Sequence, residues 1–296
     1  MAALMKRLIR LLACASVGVV LGVSVYVGLV QSGLAPSPFD PLVRGDIALA
    51  RSARPGLRVL FVGNSFTFRN GLARMVHDLA VYDRGGPQLF AVEYAAPGWS
   101  FEDAANDDGL TRLLQDVRWN VVVLQEQSQL LSFAREEWQR ETYPFARALQ
   151  NEITRDGAHT LLFMTWGYKR GDQHNWPGDS FAGMQRRLSE GYSALAAELR
   201  ASVAPAGLAW AEALRQRPGL DLWESDGKHP NRHGSYLAAC VFYGILTGRD
   251  PVRSTFTAGL QPSDARFLQG VAHAIVQETQ VSLPAVPRSA TFATGP

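Results

Sequence analysis

Short apolar runs alternate with longer amphipathic stretches along the chain from residue 57 onward. The run at residues 121–124, Val-Val-Val-Leu, is continuously apolar rather than alternating, which is typical of a strand covered on both faces. Five strands are predicted, the last of them from the weakest pattern: residues 57–62, 88–94, 120–124, 160–165 and 207–210.

The longer stretches between these runs have the periodicity of amphipathic helices. Helices are predicted at residues 72–82, 109–117, 136–156, 181–202, 231–247 and 266–277. Strands and helices therefore alternate, which favours a parallel sheet with helices on both faces. The predicted fold class is α/β, a three-layer α/β/α sandwich around a mostly parallel five-stranded sheet.

Residues 1–35 have the pattern of an N-terminal membrane anchor or signal segment. Basic residues precede an uncharged stretch at residues 11–30, which is long enough to cross a bilayer and predicts a cytoplasmic N-terminus. An uncleaved anchor is the favoured interpretation, although residues 33–35 offer a signal-cleavage site and Cys14 ends a weak lipoprotein box. Either way, the domain is predicted to lie outside the cytoplasm, anchored to the membrane and facing the periplasm or exterior, or exported.

The rest of the chain divides into a linker at residues 36–56, one domain at 57–282 and a loose tail at 283–296. The whole chain of 296 residues is 47% hydrophobic and carries a net charge of +2, so a nucleic-acid partner is not expected. Cys240 is the single cysteine of the domain, which excludes an internal disulfide there. The oligomeric state is left open.

Several polar residues and one glycine follow the predicted strands at the points where they end. Ser65 follows the first strand, Gly98 the second, Gln125 and Gln127 the third, and Trp166 the fourth. The carboxyl ends of parallel strands share one edge of the sheet, where ligands usually bind. The sequence therefore predicts an active site at this edge.

A serine and a histidine with a nearby aspartate are the candidate catalytic groups. Ser65 lies in Gly-Asn-Ser-Phe-Thr after the first strand, and Asp226 precedes His229 by three residues before a predicted helix. In a tight turn that spacing lets a carboxylate hold one ring nitrogen while the other faces the serine. The alternative is a plain turn at Ser65 and a helix cap at Asp226.

The remaining site candidates concern the oxyanion, the substrate and a metal. The amides of Ser65 and Gly98 and the side chain of Gln127 or Gln125 are the expected oxyanion donors. The residues assigned to substrate contact are Asn64, Trp99 and Trp166, with core packing as the equal alternative for the two tryptophans. A second alternative has His229, His233 and Asp226 binding zinc or iron; the favoured interpretation has no metal and no cofactor.

Together these motifs resemble the SGNH or GDSL hydrolases. The superfamily has four conserved sequence blocks, and three of them are matched in order by Gly63-Asn64-Ser65, Gly98 and Asp226 to His229. The chain looks still closer to an uncharacterised branch of that superfamily. The resemblance implies a flavodoxin-like sandwich in which Ser65 is the nucleophile, His229 the base and Asp226 its orienter. Two departures are that Asn64 replaces the usual aspartate and that Gln127 lies where the third block has asparagine.

The expected function is a serine esterase that cleaves an O-acyl ester, most plausibly an acyl group on a carbohydrate, lipid or envelope polymer. An O-acyltransferase with the same triad is one alternative. A carbohydrate-binding or assembly protein on the hydrolase scaffold is another. The irregular stretch at residues 167–180 is long enough to be functional, or to be a solvated insertion.

Overall fold

A computed structural model describes residues 41–45, 47–281 and 283 of this protein. The predicted anchor or signal segment at residues 1–35 and all but the first residue of the predicted tail at 283–296 lie outside these residues. Within the described part of the chain, no helix combines the length and the apolar character needed to cross a bilayer.

The centre of the fold is a mixed sheet with six strands in the described residues, in the order β1-β3-β2-β4-β5-β6. Strands β2 to β6 are parallel, and β1 is antiparallel to β3. The strands are β1 (Leu42–Arg44), β2 (Leu57–Gly63), β3 (Leu89–Ala95), β4 (Val121–Leu124), β5 (His159–Phe163) and β6 (Ser202–Ala204). The expected parallel core of the sheet is therefore confirmed, with an added antiparallel edge.

Strand β1 lies inside the stretch predicted to be a linker at residues 36–56. Leu42 pairs with Ala95 and Arg44 with Glu93, so the chain joins the sheet before the first parallel strand. All three residues of β1 are exposed. A strand this short, with no buried face, leaves no apolar alternation in the sequence, which is why the hydrophobic pattern missed it.

The fifth parallel strand is β6, not the predicted strand at residues 207–210. Those residues belong to the helix Ala206–Gln216, where Ala206, Ala209, Trp210 and Ala213 form one buried face. Spacings of three and four residues are helical, and alanine is the strongest helix former. The prediction of a strand at residues 207–210 is therefore wrong.

The helices flank the sheet on both sides and complete the three layers. Their bounds are α1 (Ile47–Arg51), α2 (Ser65–Phe68), α3 (Leu72–Val81), α4 (Phe101–Ala105), α5 (Asp108–Asp116), α6 (Arg135–Glu141), α7 (Tyr143–Arg155), α8 (Phe181–Leu199), α9 (Ala206–Gln216), α10 (Arg232–Thr247) and α11 (Pro262–Thr279). Short 3₁₀ turns lie at Arg69–Gly71, Leu130–Ser132 and Pro251–Arg253. The predicted helix at 136–156 divides at Thr142 because Pro144, at the start of α7, has no N–H to continue the ladder.

Helix α10 is buried on every side from Gly234 to Leu246. Phe242 contacts Phe61 of β2 and Phe163 of β5 edge to face, with ring centroids 5.2 and 4.8 Å apart. A side chain at position 234 would collide with the Leu222 carbonyl and the indole of Trp210, so glycine is required there. The first turn of α10, immediately after His229 and Pro230, is thereby fixed against the core.

Candidate active site

Ser65 stands at the first position of α2, directly after β2. The side chain of Asn64 caps this short helix by accepting a 3.0 Å hydrogen bond from the Phe66 amide, and it donates one of 2.9 Å to the Trp99 carbonyl. Asn64 itself is 3% exposed. It therefore shapes the turn that presents Ser65, while its assignment to substrate contact stays a prediction.

Gln125 supports the Ser65 turn from the end of β4. Its Oε1 accepts from the Asn64 amide and from the Thr67 hydroxyl, both at 2.9 Å, and its Nε2 donates to the Glu126 carbonyl. A Cβ at Gly63 would lie 2.6 Å from the same Oε1, so this close approach needs glycine. Because its side chain is buried and hydrogen-bonded within the turn, Gln125 holds the scaffold of the site, and this favours Gln127 over Gln125 as the predicted oxyanion donor.

His229 connects Ser65 to Asp226. Its Nε2 lies 2.8 Å from the Ser65 Oγ, and its Nδ1 lies 2.5 Å from the Asp226 Oδ2. Proton transfer from serine to imidazole needs this separation, and a carboxylate at Nδ1 fixes the ring tautomer that accepts the proton. The structure thus brings together the three residues that the sequence motifs single out.

The carboxylate of Asp226 is held by the turn that it closes. Its Oδ1 accepts from the amides of Lys228 and His229 at 2.9 and 3.0 Å. Burial raises the pKa of Asp226, but the hydrogen bonds from the His229 ring and these two amides outweigh it, so the pKa lies below its usual value. Gly227 adopts a φ of +68°, which permits the tight turn between the two catalytic candidates.

The loop that carries Asp226 and His229 is anchored on both sides. The Glu224 amide donates to the His229 carbonyl at 2.8 Å, and the Trp166 indole donates to the Lys228 carbonyl at 3.1 Å. The N-cap of α10 is Asn231, whose Oδ1 accepts from the Gly234 amide. Asp226 is therefore not the helix cap, and the alternative interpretation of this motif is wrong.

Trp166 and Trp99, the two aromatic substrate candidates, close the core beneath the site. The Trp166 ring lies between Phe66 and Trp210, nearly parallel to both, at centroid distances of 4.9 and 4.0 Å. Trp166 is 0% and Trp99 4% exposed. Both rings are packed in the core, which favours the core-packing alternative, and their assignment to substrate contact stays a prediction.

Three groups remain as possible oxyanion donors. The amides of Ser65 and Gly98 form no hydrogen bond with any described residue, and Gly98 is exposed with a φ of +71°. Gln127 is half-buried, and its Nε2 makes one long contact of 3.4 Å with the Gln129 Oε1. Donors without strong partners are free to bind a negative oxygen that develops beside Ser65.

Glu126 links the two loops that carry these donors. It is fully buried, and its Oε1 accepts from the Phe101 amide at 2.9 Å and from the Gln127 amide at 2.7 Å. Burial raises the pKa of Glu126 to about 7, against the lowering effect of these two amides. Glu126 directly follows a buried strand, and this position is the signal in the sequence for an anchoring role. From the sequence alone, that role cannot be distinguished from a simple salt bridge.

The burial of Glu126 predicts a pH-dependent effect of the Glu126→Gln substitution. An acid with a raised pKa in the folded state loses stability as pH rises from its unfolded value of 4.5 to about 7, because only the unfolded chain ionises freely in that range. Glutamine keeps the acceptor oxygen without the charge. The variant's advantage in unfolding free energy should therefore grow between pH 4.5 and about 7, to a few kcal/mol, and stay constant above.

Urea unfolding of both proteins across this pH range measures the difference. Burial also raises the pKa of Glu93 to about 7. Glu93 is present in both proteins, so its contribution cancels in the difference of unfolding free energies. The neighbouring groups that act on Glu126, the Thr142 hydroxyl and the Glu102 carboxylate, and the nearby phenol of Tyr192 are likewise unchanged. A difference that does not vary with pH would mean that Glu126 is not the titrating group.

The alternative metal site does not form. His233, the second histidine of that alternative, faces Asp264, with 3.5 Å between its Nε2 and the Asp264 Oδ2. Both ring nitrogens of His229 already have other partners. Among the described residues, no group of three histidine, cysteine or acidic side chains could hold a metal ion.

Comparisons with known proteins address the fold. No family model and no curated protein matches the sequence. A DUF4886 family protein from Bacteroides uniformis matches with a TM-score of 0.64 and 18% identity, over 79% of this chain and 99% of that one. A protein from Slackia heliotrinireducens assigned to the SGNH hydrolases matches with a TM-score of 0.52 and 26% identity, over 64% of this chain and 97% of that one. The expected fold is thereby confirmed: this chain has the α/β sandwich of the SGNH/GDSL hydrolases.

Proposed function

We propose that this protein is a serine esterase that cleaves O-acyl esters through Ser65, His229 and Asp226. The observation that carries the proposal is the continuous line of hydrogen bonds from the Ser65 Oγ through the imidazole to the Asp226 carboxylate. A binding protein has no need for a base aligned on a serine hydroxyl. The similarity to an SGNH hydrolase at 26% identity supports the same reaction class.

The reaction follows from the positions of these groups. Nε2 of His229 takes the hydroxyl proton as the Ser65 Oγ attacks the acyl carbonyl carbon, and the resulting imidazolium is stabilised by Asp226. The carbonyl oxygen becomes an oxyanion that accepts from the amides of Ser65 and Gly98 and from Gln127. The imidazolium then gives its proton to the alkoxide, so the alcohol leaves and an acyl-enzyme remains.

Deacylation uses the same groups with a second nucleophile. His229 removes a proton from water as its oxygen attacks the acyl carbonyl carbon. The tetrahedral intermediate then collapses, the bond to the Ser65 Oγ breaks, the carboxylic acid leaves, and the imidazolium returns the proton to Ser65. A sugar hydroxyl in place of water gives acyl transfer instead. The substrate we propose is an acyl ester on a carbohydrate, lipid or envelope polymer, consistent with the placement outside the cytoplasm that the pattern of residues 1–35 predicts.

Labelling with a fluorophosphonate probe tests the reaction class. The intact protein should react at Ser65, as located by peptide mass spectrometry, and hydrolyse at least one member of a panel of acetyl and longer-chain esters that includes acetylated sugars. Hydrolysis should persist in excess chelator, because the mechanism uses no metal. A folded sample that neither labels nor hydrolyses any ester would contradict the proposal and favour the binding protein.

A further inference from the structure

A chain of hydrogen bonds through two glutamines and an aspartate extends from the site into the irregular stretch at residues 167–180. The Gln129 amide donates to the Gln127 Oε1 at 2.8 Å, and the Gln129 Oε1 lies 3.4 Å from the Gln127 Nε2. At its other end, the Gln129 Nε2 donates to the Asp172 Oδ2 at 2.8 Å. The two loops after β4 and β5 are therefore joined by side-chain amides.

The contacts at the two ends of this hydrogen-bond chain fix which atoms of the two glutamine amides donate and which accept. A backbone N–H can only donate, so the Gln127 atom that it meets must be the carbonyl oxygen. An ionised carboxylate can only accept, so the Gln129 atom that meets Asp172 must be the NH₂ group. Together these contacts set the orientation of the Gln127 amide, and its NH₂ group keeps one hydrogen without a partner among the described residues.

The surroundings of Asp172 keep its carboxyl group ionised, so that it acts as an acceptor. It is 2% exposed, and besides Gln129 it accepts from the Asn175 side chain at 2.7 Å and from the Asn175 amide at 3.2 Å. Burial raises the pKa of Asp172, but the hydrogen bonds from Asn175 and Gln129 outweigh it and the pKa lies below its usual value. The carboxylate form therefore persists at neutral pH.

We propose that Asp172 and Gln129 are positioning residues that orient the Gln127 amide as the side-chain donor of the oxyanion hole. The inference rests on the proposed esterase function and deepens it. Gln127 has one more rotatable bond than the asparagine of the related motif, so more rotamers compete with the productive one. The chain from Asp172 selects among them, which gives the stretch at residues 167–180 a role in catalysis without any contact to the reacting atoms.

The test is a double-mutant cycle on the full chain with Asp172→Asn and Gln127→Ala. Gln127→Ala should lower kcat by about 100-fold, the typical effect of removing one oxyanion donor. Asp172→Asn keeps the size of the side chain but can present NH₂ to Gln129, which would exchange donors and acceptors along the hydrogen-bond chain. We therefore expect kcat to fall about tenfold with little change in KM. In the double variant, Asp172→Asn should add almost nothing to the loss caused by Gln127→Ala.

Asp179→Asn is the matched control in the same loop. Asp179 forms an ion pair with Arg187 at 2.6 Å and accepts from the Asp172 amide, so its loss loosens the loop without removing an acceptor from Gln129. If Asp172→Asn acted only through loop stability, both asparagine variants would lower the melting temperature and kcat together, and their effects would add to that of Gln127→Ala. Such additivity would overturn the inference.

Failure of the inference differs from failure of the proposed function. If the intact protein neither reacts with fluorophosphonate nor cleaves esters, the esterase proposal itself is wrong. If the intact protein is active and Asp172→Asn matches it in kcat at unchanged melting temperature, the esterase proposal stands and the positioning role of Asp172 is wrong.

Discussion

Replacement of Ser65 by alanine is expected to lower kcat for ester hydrolysis by about 10⁵-fold or more, in line with the loss of a serine nucleophile in other hydrolases. The imidazole of His229 then lacks the hydroxyl that it deprotonates, so the route through an acyl-enzyme is lost. Stability should change little, since the Ser65 hydroxyl is half-buried and contacts only the edge of that ring through one hydrogen bond among the described residues. Steady-state rates, fluorophosphonate labelling and a melting curve measure the three effects.

Ser52→Ala is the matched control for this variant. The Ser52 hydroxyl donates to the Leu49 carbonyl before the start of β2, at the opposite end of the strand from Ser65. This control should keep full activity and full labelling. Residual hydrolysis by Ser65→Ala at a rate close to that of the unsubstituted protein would show that another residue is the nucleophile.

Asp226→Asn is expected to lower kcat by about 10³- to 10⁴-fold, with a smaller change in KM. Asparagine can still accept from the amides of Lys228 and His229, so the turn should persist. Its NH₂ group opposite Nδ1 favours the imidazole tautomer that carries hydrogen on Nε2, and that tautomer cannot take the Ser65 proton. The measurement is kcat at a pH where the unsubstituted protein is most active.

Asp221→Asn provides the comparison at an exposed aspartate of the same loop region. Asp221 forms an exposed ion pair with Lys169 at 3.0 Å, an interaction that contributes at most about 1 kcal/mol to stability and does not reach the triad. This variant should retain its activity. Equal losses in the two aspartate variants would mean that charge near the loop, rather than the contact with His229, supports catalysis.

The alternation of apolar runs and amphipathic stretches predicted most of the fold because each parallel strand is buried on both faces. Val121 to Leu124 is fully buried, as a continuously apolar run requires. The hydrophobic pattern failed to predict two elements whose burial leaves no periodic signal in the sequence. Strand β1 is entirely exposed, and the buried face of α9 is made of alanines and Trp210 in a run too short to reveal its period.

The triad contact could be predicted because it depends on two local motifs and one topological rule. A parallel sheet brings the end of β2 to the edge where the loop before α10 also lies, so Ser65 and His229 meet although 164 positions separate them. The scaffold was not predictable in this way. Whether Gln125 or Gln127 turns inward depends on the pleat of β4 and on the room left by Gly63, which only the folded backbone decides.

Strand β1 also determines where the N-terminal part of the chain is attached. Since Leu42 pairs with Ala95, at the carboxyl end of β3, the polypeptide enters the domain on the side where Ser65 lies and not on the opposite side. A bulky fusion or solid support placed shortly before residue 41 would crowd the entrance to the site.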